Sequence, residues 1–152
     1  MALLSIFVTP VSASVILRGN ALAAGMSAVN GSLEYKFNKE YSADINISKF
    51  DMPPLLFNQY IQEKYGVMLR NYGKNAVYFG IGLAQVSIKK EKDKKTETYT
   101  GLEFRVGQEI ALIKDIPFYI GYSVGFVYKL SKTELSILPN AGVTIAYEFG
   151  KQ

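Results

Sequence analysis

The chain has 152 residues, is 49% hydrophobic and carries a formal net charge of +4 at neutral pH, which fits one domain. It contains no histidine and no cysteine; this removes Ser-His-Asp hydrolysis, histidine-based zinc sites, most proton shuttles, disulfides and thiolate metal sites. No run of about 18 or more apolar residues occurs, so no membrane-spanning helix can be drawn.

Residues 1–13 are expected to be a signal-peptide-like segment. The apolar stretch ALLSIFVTPVSA ends in Val11-Ser12-Ala13, which fits a small-x-small cleavage pattern, although no Lys or Arg precedes it. A buried first strand is the alternative. Residues 14–152 then form the domain.

From Ser14 to Gly25 a strand is expected, with Val15 and Leu17 on one face and Arg18 and Asn20 on the other. A short loop, Met26 to Asn30, follows. Gly31 to Phe37 alternates Leu33, Tyr35 and Phe37 against Glu34 and Lys36, and Tyr41 to Lys49 alternates Tyr41, Ala43, Ile45 and Ile47 against Ser42, Asp44, Asn46 and Ser48. Asn38-Lys39-Glu40 between them reads as a tight hairpin turn, since Asn tolerates left-handed backbone angles. Two prolines open residues 51–64, DMPPLLFNQYIQEK, which read as a surface loop; a short helix through Leu55, Leu56, Gln59, Tyr60 and Glu63 is the alternative. Tyr65 to Tyr72 is strand-like again, with Val67 and Leu69 opposite Met68 and Arg70, and Gly73-Lys74-Asn75 is the next turn.

A long strand runs from Ala76 to Lys90, with Val77, Phe79, Ile81 and Leu83 on one face and Tyr78, Gly80, Gly82 and Ala84 on the other. A lysine-rich loop spans residues 89–95. Thr98 to Leu112 sets Leu102, Phe104, Val106, Ile110 and Leu112 against Gly101, Glu103, Arg105, Gly107 and Glu109. After a turn ending at Pro117, Phe118 to Tyr128 (FYIGYSVGFVY) has the clearest period of two in the chain. A polar loop near 131–138 leads to Asn140–Phe149, where Ala141, Val143, Ile145, Tyr147 and Phe149 oppose Asn140, Gly142, Thr144, Ala146 and Glu148.

These are about eight strands joined next neighbour to next neighbour, with short turns on one side and mostly longer loops on the other. Strands of about 9–11 residues cross a bilayer when tilted. The expected fold is all-β, an antiparallel up-and-down eight-stranded transmembrane β-barrel. Which face points inward follows from the polar face. It is mostly small residues with a few charges of both signs, whereas a water-facing surface would carry charges often. An eight-stranded barrel has an interior just wide enough for side chains to fill. Glu34, Lys36, Asp44, Arg70, Glu103, Arg105, Glu109 and Glu148 are therefore expected to form a lumenal ion network. Because unpaired buried ions are costly, pairs such as Glu103 or Glu148 with Arg70 or Arg105 are expected. Phe37, Tyr41, Tyr65, Phe118, Tyr147 and Phe149 are expected as an aromatic girdle at the short-turn end.

The stretches LEYKFNKEYSADINISKF (33–50), VYFGIGLAQVSIKK (77–90) and AGVTIAYEF (141–149) resemble the small eight-stranded outer-membrane proteins of Gram-negative bacteria. That group includes the OmpA transmembrane domain and the OmpX/Ail-like and opacity-type proteins. The resemblance covers roughly residues 14–149. It implies a place in the bacterial outer membrane, contact with outer-membrane lipid and lipopolysaccharide, and assembly by the outer-membrane machinery. Tyr147 and Phe149 match the group's C-terminal assembly signal, although Gly150, Lys151 and Gln152 follow where the group usually ends. Members serve as adhesins, membrane-integrity proteins or narrow pores.

No enzyme activity, cofactor or metal is expected. Calcium-ligand spacing and a phosphate-binding glycine loop are absent, and Glu103, Glu109 and Glu148 read as network members rather than acid–base catalysts. The cluster Lys89, Lys90, Lys92, Lys94 and Lys95 would meet lipopolysaccharide phosphates on the long-loop side, with a solvated hairpin tip as the alternative. Nothing beyond charge points to nucleic acid. The function expected is a surface-interaction or membrane-integrity barrel with a filled lumen. A narrow pore for ions or small solutes is the alternative, and a soluble lipocalin-like binder is the outside option.

Overall fold

A computed structural model describes residues 13–20, 28–51, 60–90, 96–113, 116–130 and 137–150. Eight strands lie in chain order: β1 (Ser14–Asn20), β2 (Ala28–Lys36), β3 (Tyr41–Asp51), β4 (Tyr60–Tyr72), β5 (Val77–Lys90), β6 (Thr96–Ala111), β7 (Phe118–Lys129) and β8 (Ile137–Phe149). Each pairs antiparallel with the next, and β8 pairs with β1, so the sheet closes. The alternation of bulky and small or polar side chains produces this closure. It gives each strand two unlike faces, and a closed sheet leaves no backbone edge unpaired.

The register sets the size of the tube. Val15 pairs Tyr35, and the ladder continues through Ala43, Leu69, Ile81, Phe104 and Phe126 to Pro139. Val15 is itself paired with Phe149, ten residues beyond Pro139. At roughly 3.3 Å per residue and about 4.8 Å between strands, this stagger tilts the strands by about 40° and gives a radius of about 8 Å.

Several strands are longer than their sequence pattern suggested. β2 begins at Ala28, within the expected first loop, and β4 begins at Tyr60. Tyr60–Lys64 thus leave the proposed loop or helix and pair with Lys90–Val86 of β5. β8 begins at Ile137 and carries Pro139 as its third residue, near the strand's end, where a missing N–H costs one ladder bond. The other positions proposed for the short helix, Leu55, Leu56 and Gln59, lie outside the described residues, as do residues 1–12 of the signal-like segment and Ala21–Gly25 of the first expected strand.

The turns are built differently from expectation. The Asn38 side chain caps its own turn, its Oδ1 accepting from the N–H groups of Glu40 and Tyr41 at 2.8 Å each, as Asx turns do. Left-handed backbone falls instead on Asn75 (φ 58°) and Ala76 (φ 54°), in the one-turn 3-10 segment Lys74–Ala76.

Small inward residues let the strands and lumenal side chains approach. A Cβ added at Gly82 would collide with the Val67 carbonyl and come within 2.8 Å of Met68 Cα. Because these obstacles are backbone atoms, Gly82→Ala is expected to destabilise by about 1–3 kcal/mol, the usual cost of overpacking. Urea titration of the refolded barrel in detergent micelles measures it.

Candidate functional site

The outer and inner faces separate cleanly over most of the wall. Leu33, Ile45, Val67, Leu69, Ile81, Leu83, Val106 and Val124 are exposed on the outside, while Glu34, Asp44, Met68, Arg70, Glu103 and Val127 are buried inside. Gln108 is a polar residue on the outer face whose groups are both used. Its side chain donates to the Asn75 carbonyl at 3.1 Å and accepts from the Tyr122 hydroxyl.

Among the described residues, three groups of charges line the lumen below the Lys129–Glu97 pair at its long-loop end. In the half nearer the short turns, Arg18 donates to Glu34 and Glu109, and Arg70 donates to Asp44. Arg70 Nη1 also forms an ion pair with Glu34 Oε2 at 3.1 Å. The Tyr72 hydroxyl donates to Glu34 at 2.8 Å and accepts from Arg18 at 3.1 Å. The Arg70 guanidinium lies 4.6 Å from the centroid of the Tyr78 ring, within cation–π range.

Higher in the tube, Glu103 Oε1 accepts from Lys64 at 2.6 Å, from Asn140 at 3.2 Å and from Arg105. At the short-turn mouth, Glu148 accepts from Ser14 at 2.5 Å and from the Tyr119 hydroxyl at 2.8 Å, with Lys36 Nζ 3.7 Å away.

All eight carboxylates and cations singled out from the sequence line this interior, but their pairing differs from the one expected. Arg70 joins Asp44 and Glu34 rather than Glu103 or Glu148, because the stagger places Glu103 toward the long-loop side. Glu148 meets Lys36, and only Glu103 with Arg105 matches a suggested pair. Three cations among the described residues were missed, Lys129 with Glu97 at the long-loop end being one. Arg18 is in the inward phase of β1, which alternation already marked. Lys64 is in the part of β4 hidden behind the prolines.

Above the charges the pattern reverses. Outward Leu83 is followed by outward Gln85 and Ser87, and outward Leu102 is preceded by Thr100 and Thr98. Ser87 and Thr98 share a hydrogen bond at 3.0 Å, and outward Lys49 and Glu63 pair at 2.9 Å. Inside at this height, Ala84, Val86 and Val127 form an apolar cluster against Ile88, Tyr99 and Leu138. The strands keep their phase through this height; what changes is the residue type on each face. That change turns a polar-lined tube into a small hydrophobic plug on the long-loop side.

Of the proposed aromatic girdle, Phe37, Tyr41, Tyr147 and Phe149 are exposed at the short-turn end and Phe118 is half-buried there; Tyr147 and Phe149 stack edge to face at 4.7 Å. Tyr65 is not with them. It pairs with Ile47 and Gln85, toward the long-loop end of β4. Lys89 is exposed at the end of β5, which also contains Lys90. Lys92, Lys94 and Lys95 lie outside the described residues. No cluster of three or more carboxylates suited to a metal occurs among the described residues.

Compared with solved structures, the chain is similar to the N-terminal β-barrel domain of OprF from Pseudomonas aeruginosa. The match has a TM-score of 0.61 and 14% identity, and covers 90% of this chain and 96% of that one. The fold is that of a closed eight-stranded antiparallel β-barrel, as in that domain. No family model matches the sequence, and no curated protein matches it. At 14% identity the similarity to the OprF barrel lies in strand number, order and closure. The ion pairs and the apolar plug are described from this chain's own side chains.

Proposed function

We propose that this chain is an integral protein of a bacterial outer membrane, with a lumen closed to solute passage and a role in membrane integrity or surface interaction. The observation that carries the reading is the pairing of an apolar outer band with a charged inner one. In water, the exposed Leu, Ile, Val and Phe side chains would form one continuous apolar surface far larger than a soluble monomer shows. In lipid they are solvated, and the closed ladder leaves no strand edge unsatisfied. The reversal at Gln85, Ser87, Thr98 and Thr100 marks the height at which the wall leaves the hydrocarbon.

Two fillings support a closed lumen. One ion cluster occupies the half nearer the short turns, the Glu103 cluster lies higher in the tube, and Ala84, Val86 and Val127 form an apolar cluster on the long-loop side. Purified protein in a planar bilayer is therefore expected to give no steady conductance. Regular open steps would favour the narrow pore, a reading to which the polar cavity described below lends some support. A heat-modifiability gel on membrane fractions tests location and closure: unheated protein should run as a compact band and partition with the outer membrane. On this reading Lys89, Lys90, Lys92, Lys94 and Lys95 face lipopolysaccharide phosphates, and Tyr147 and Phe149 present the assembly signal to the insertion machinery.

A further inference from the structure

A cavity of about 70 Å³ lies in the lumen against the Arg18–Arg70 cluster and the Lys64–Arg105 cluster. Its lining includes four cations, Arg18, Lys64, Arg70 and Arg105, and no carboxylate among the described residues. Glu34, Asp44, Glu103 and Glu109 pair with these cations but are not among the residues that line the cavity. Lys64 and Arg105 share the single carboxylate of Glu103.

The buried polar atoms without a hydrogen bond among the described residues are Nε and Nη1 of Arg70, Nε of Arg105, and the oxygens Asn46 Oδ1, Glu103 Oε2 and Ser42 Oγ. The Nη groups of Arg18 and Nη2 of Arg70 and Arg105 are committed to carboxylates. Nε of Arg70, a residue 2% exposed, and Nε of Arg105 are buried and make no hydrogen bond among the described residues, and Arg70 Nη1 has only its ion-pair contact with Glu34. Lys64 gives one of its three N–H bonds to Glu103. These are separate donors on β4 and β6, not the parallel fork with which arginine grips a carboxylate or phosphate. A spherical ion needs no fork. At about 30 Å³ for each water, the space admits one such ion with a water beside it.

We propose that this cavity binds a small monovalent inorganic anion of the halide class, held by Arg70 Nε, Arg105 Nε and Lys64 Nζ. The site depends on the lumen's geometry and goes beyond the proposed membrane role.

The test uses the full chain refolded in detergent micelles, with chloride and bromide as probes. Thermal unfolding is compared in sodium chloride and sodium gluconate at equal ionic strength and pH, since general screening is then the same. An ion bound only by the folded barrel raises its midpoint by mass action, so chloride should give the higher midpoint. Arg105→Lys keeps the charge but removes Nε and should lose that difference; Ser123→Ala, which removes a neighbouring hydroxyl from the lining, serves if the lysine variant does not fold and should reduce it. Crystals grown in sodium bromide should show an anomalous peak between Arg70 and Arg105. Equal midpoints in the two salts, or bromide peaks confined to the outer surface, would overturn the assignment.

Discussion

Replacing Arg70 with methionine is expected to cost about 3–5 kcal/mol, the typical loss when one partner of a buried ion pair is removed. Arg70 is 2% exposed and lies against Asp44 at 1% and Glu34 at 0%. Its guanidinium is the only hydrogen-bonded cation of Asp44 and the second cation of Glu34 among the described residues. Methionine fills similar volume, so the loss reports electrostatics rather than a cavity. The measurement is urea unfolding in micelles, with the folded fraction read from the compact gel band. Lys36→Met supplies the comparison. Lys36 stands 3.7 Å from Glu148, is part-exposed, and leaves Glu148 still bonded to Ser14 and Tyr119, so its loss should be clearly smaller. Removing both charges with Arg70→Met and Asp44→Leu should cost less than the sum of the single changes, since the pair is coupled. Equal losses for Arg70→Met and Lys36→Met would show that the lower cluster is not a stabilising unit.

The same network marks where the sequence stops being informative. Inward and outward positions could be read from each strand alone, because a period of two is local; Val124, Ile81 and Leu69 outside and Glu103 and Arg105 inside follow from it. Partners could not. Arg18 and Glu109 are 91 residues apart and meet because the stagger accumulates around the whole tube, a quantity that no single strand contains. Lys64 was obscured for a different reason: the prolines at 53 and 54 mark a break without saying how soon pairing resumes. Tyr65 was set at the wrong height because its strand begins five residues earlier than its alternation suggested. The apolar plug is hard to read because Leu83, Ala84 and Val86 put hydrophobic residues on both faces just where the outer face turns polar, and composition there favours neither side.

Membrane depth is tested by a second pair of substitutions. Val124→Arg places a charge on the outer face at a side chain 63% exposed, between Val106 of β6 and Ala141 of β8. If lipid surrounds that position, the change should destabilise the barrel by about 2–4 kcal/mol. Gln85→Arg is also on the outer face, but above the point where β5 turns from Leu83 to polar residues. There the same substitution should cost about 0–1 kcal/mol. The two positions share strand geometry and outward direction, so intrinsic strand preference largely cancels and the difference reports the solvent outside the wall. Unfolding midpoints in micelles and in thin-bilayer vesicles measure it, and the gap should widen in vesicles, where a headgroup layer defines depth. Equal, small costs at both sites would mean that water surrounds the outer band. The apolar face would then need a protein partner rather than lipid, and the membrane reading would fall with it.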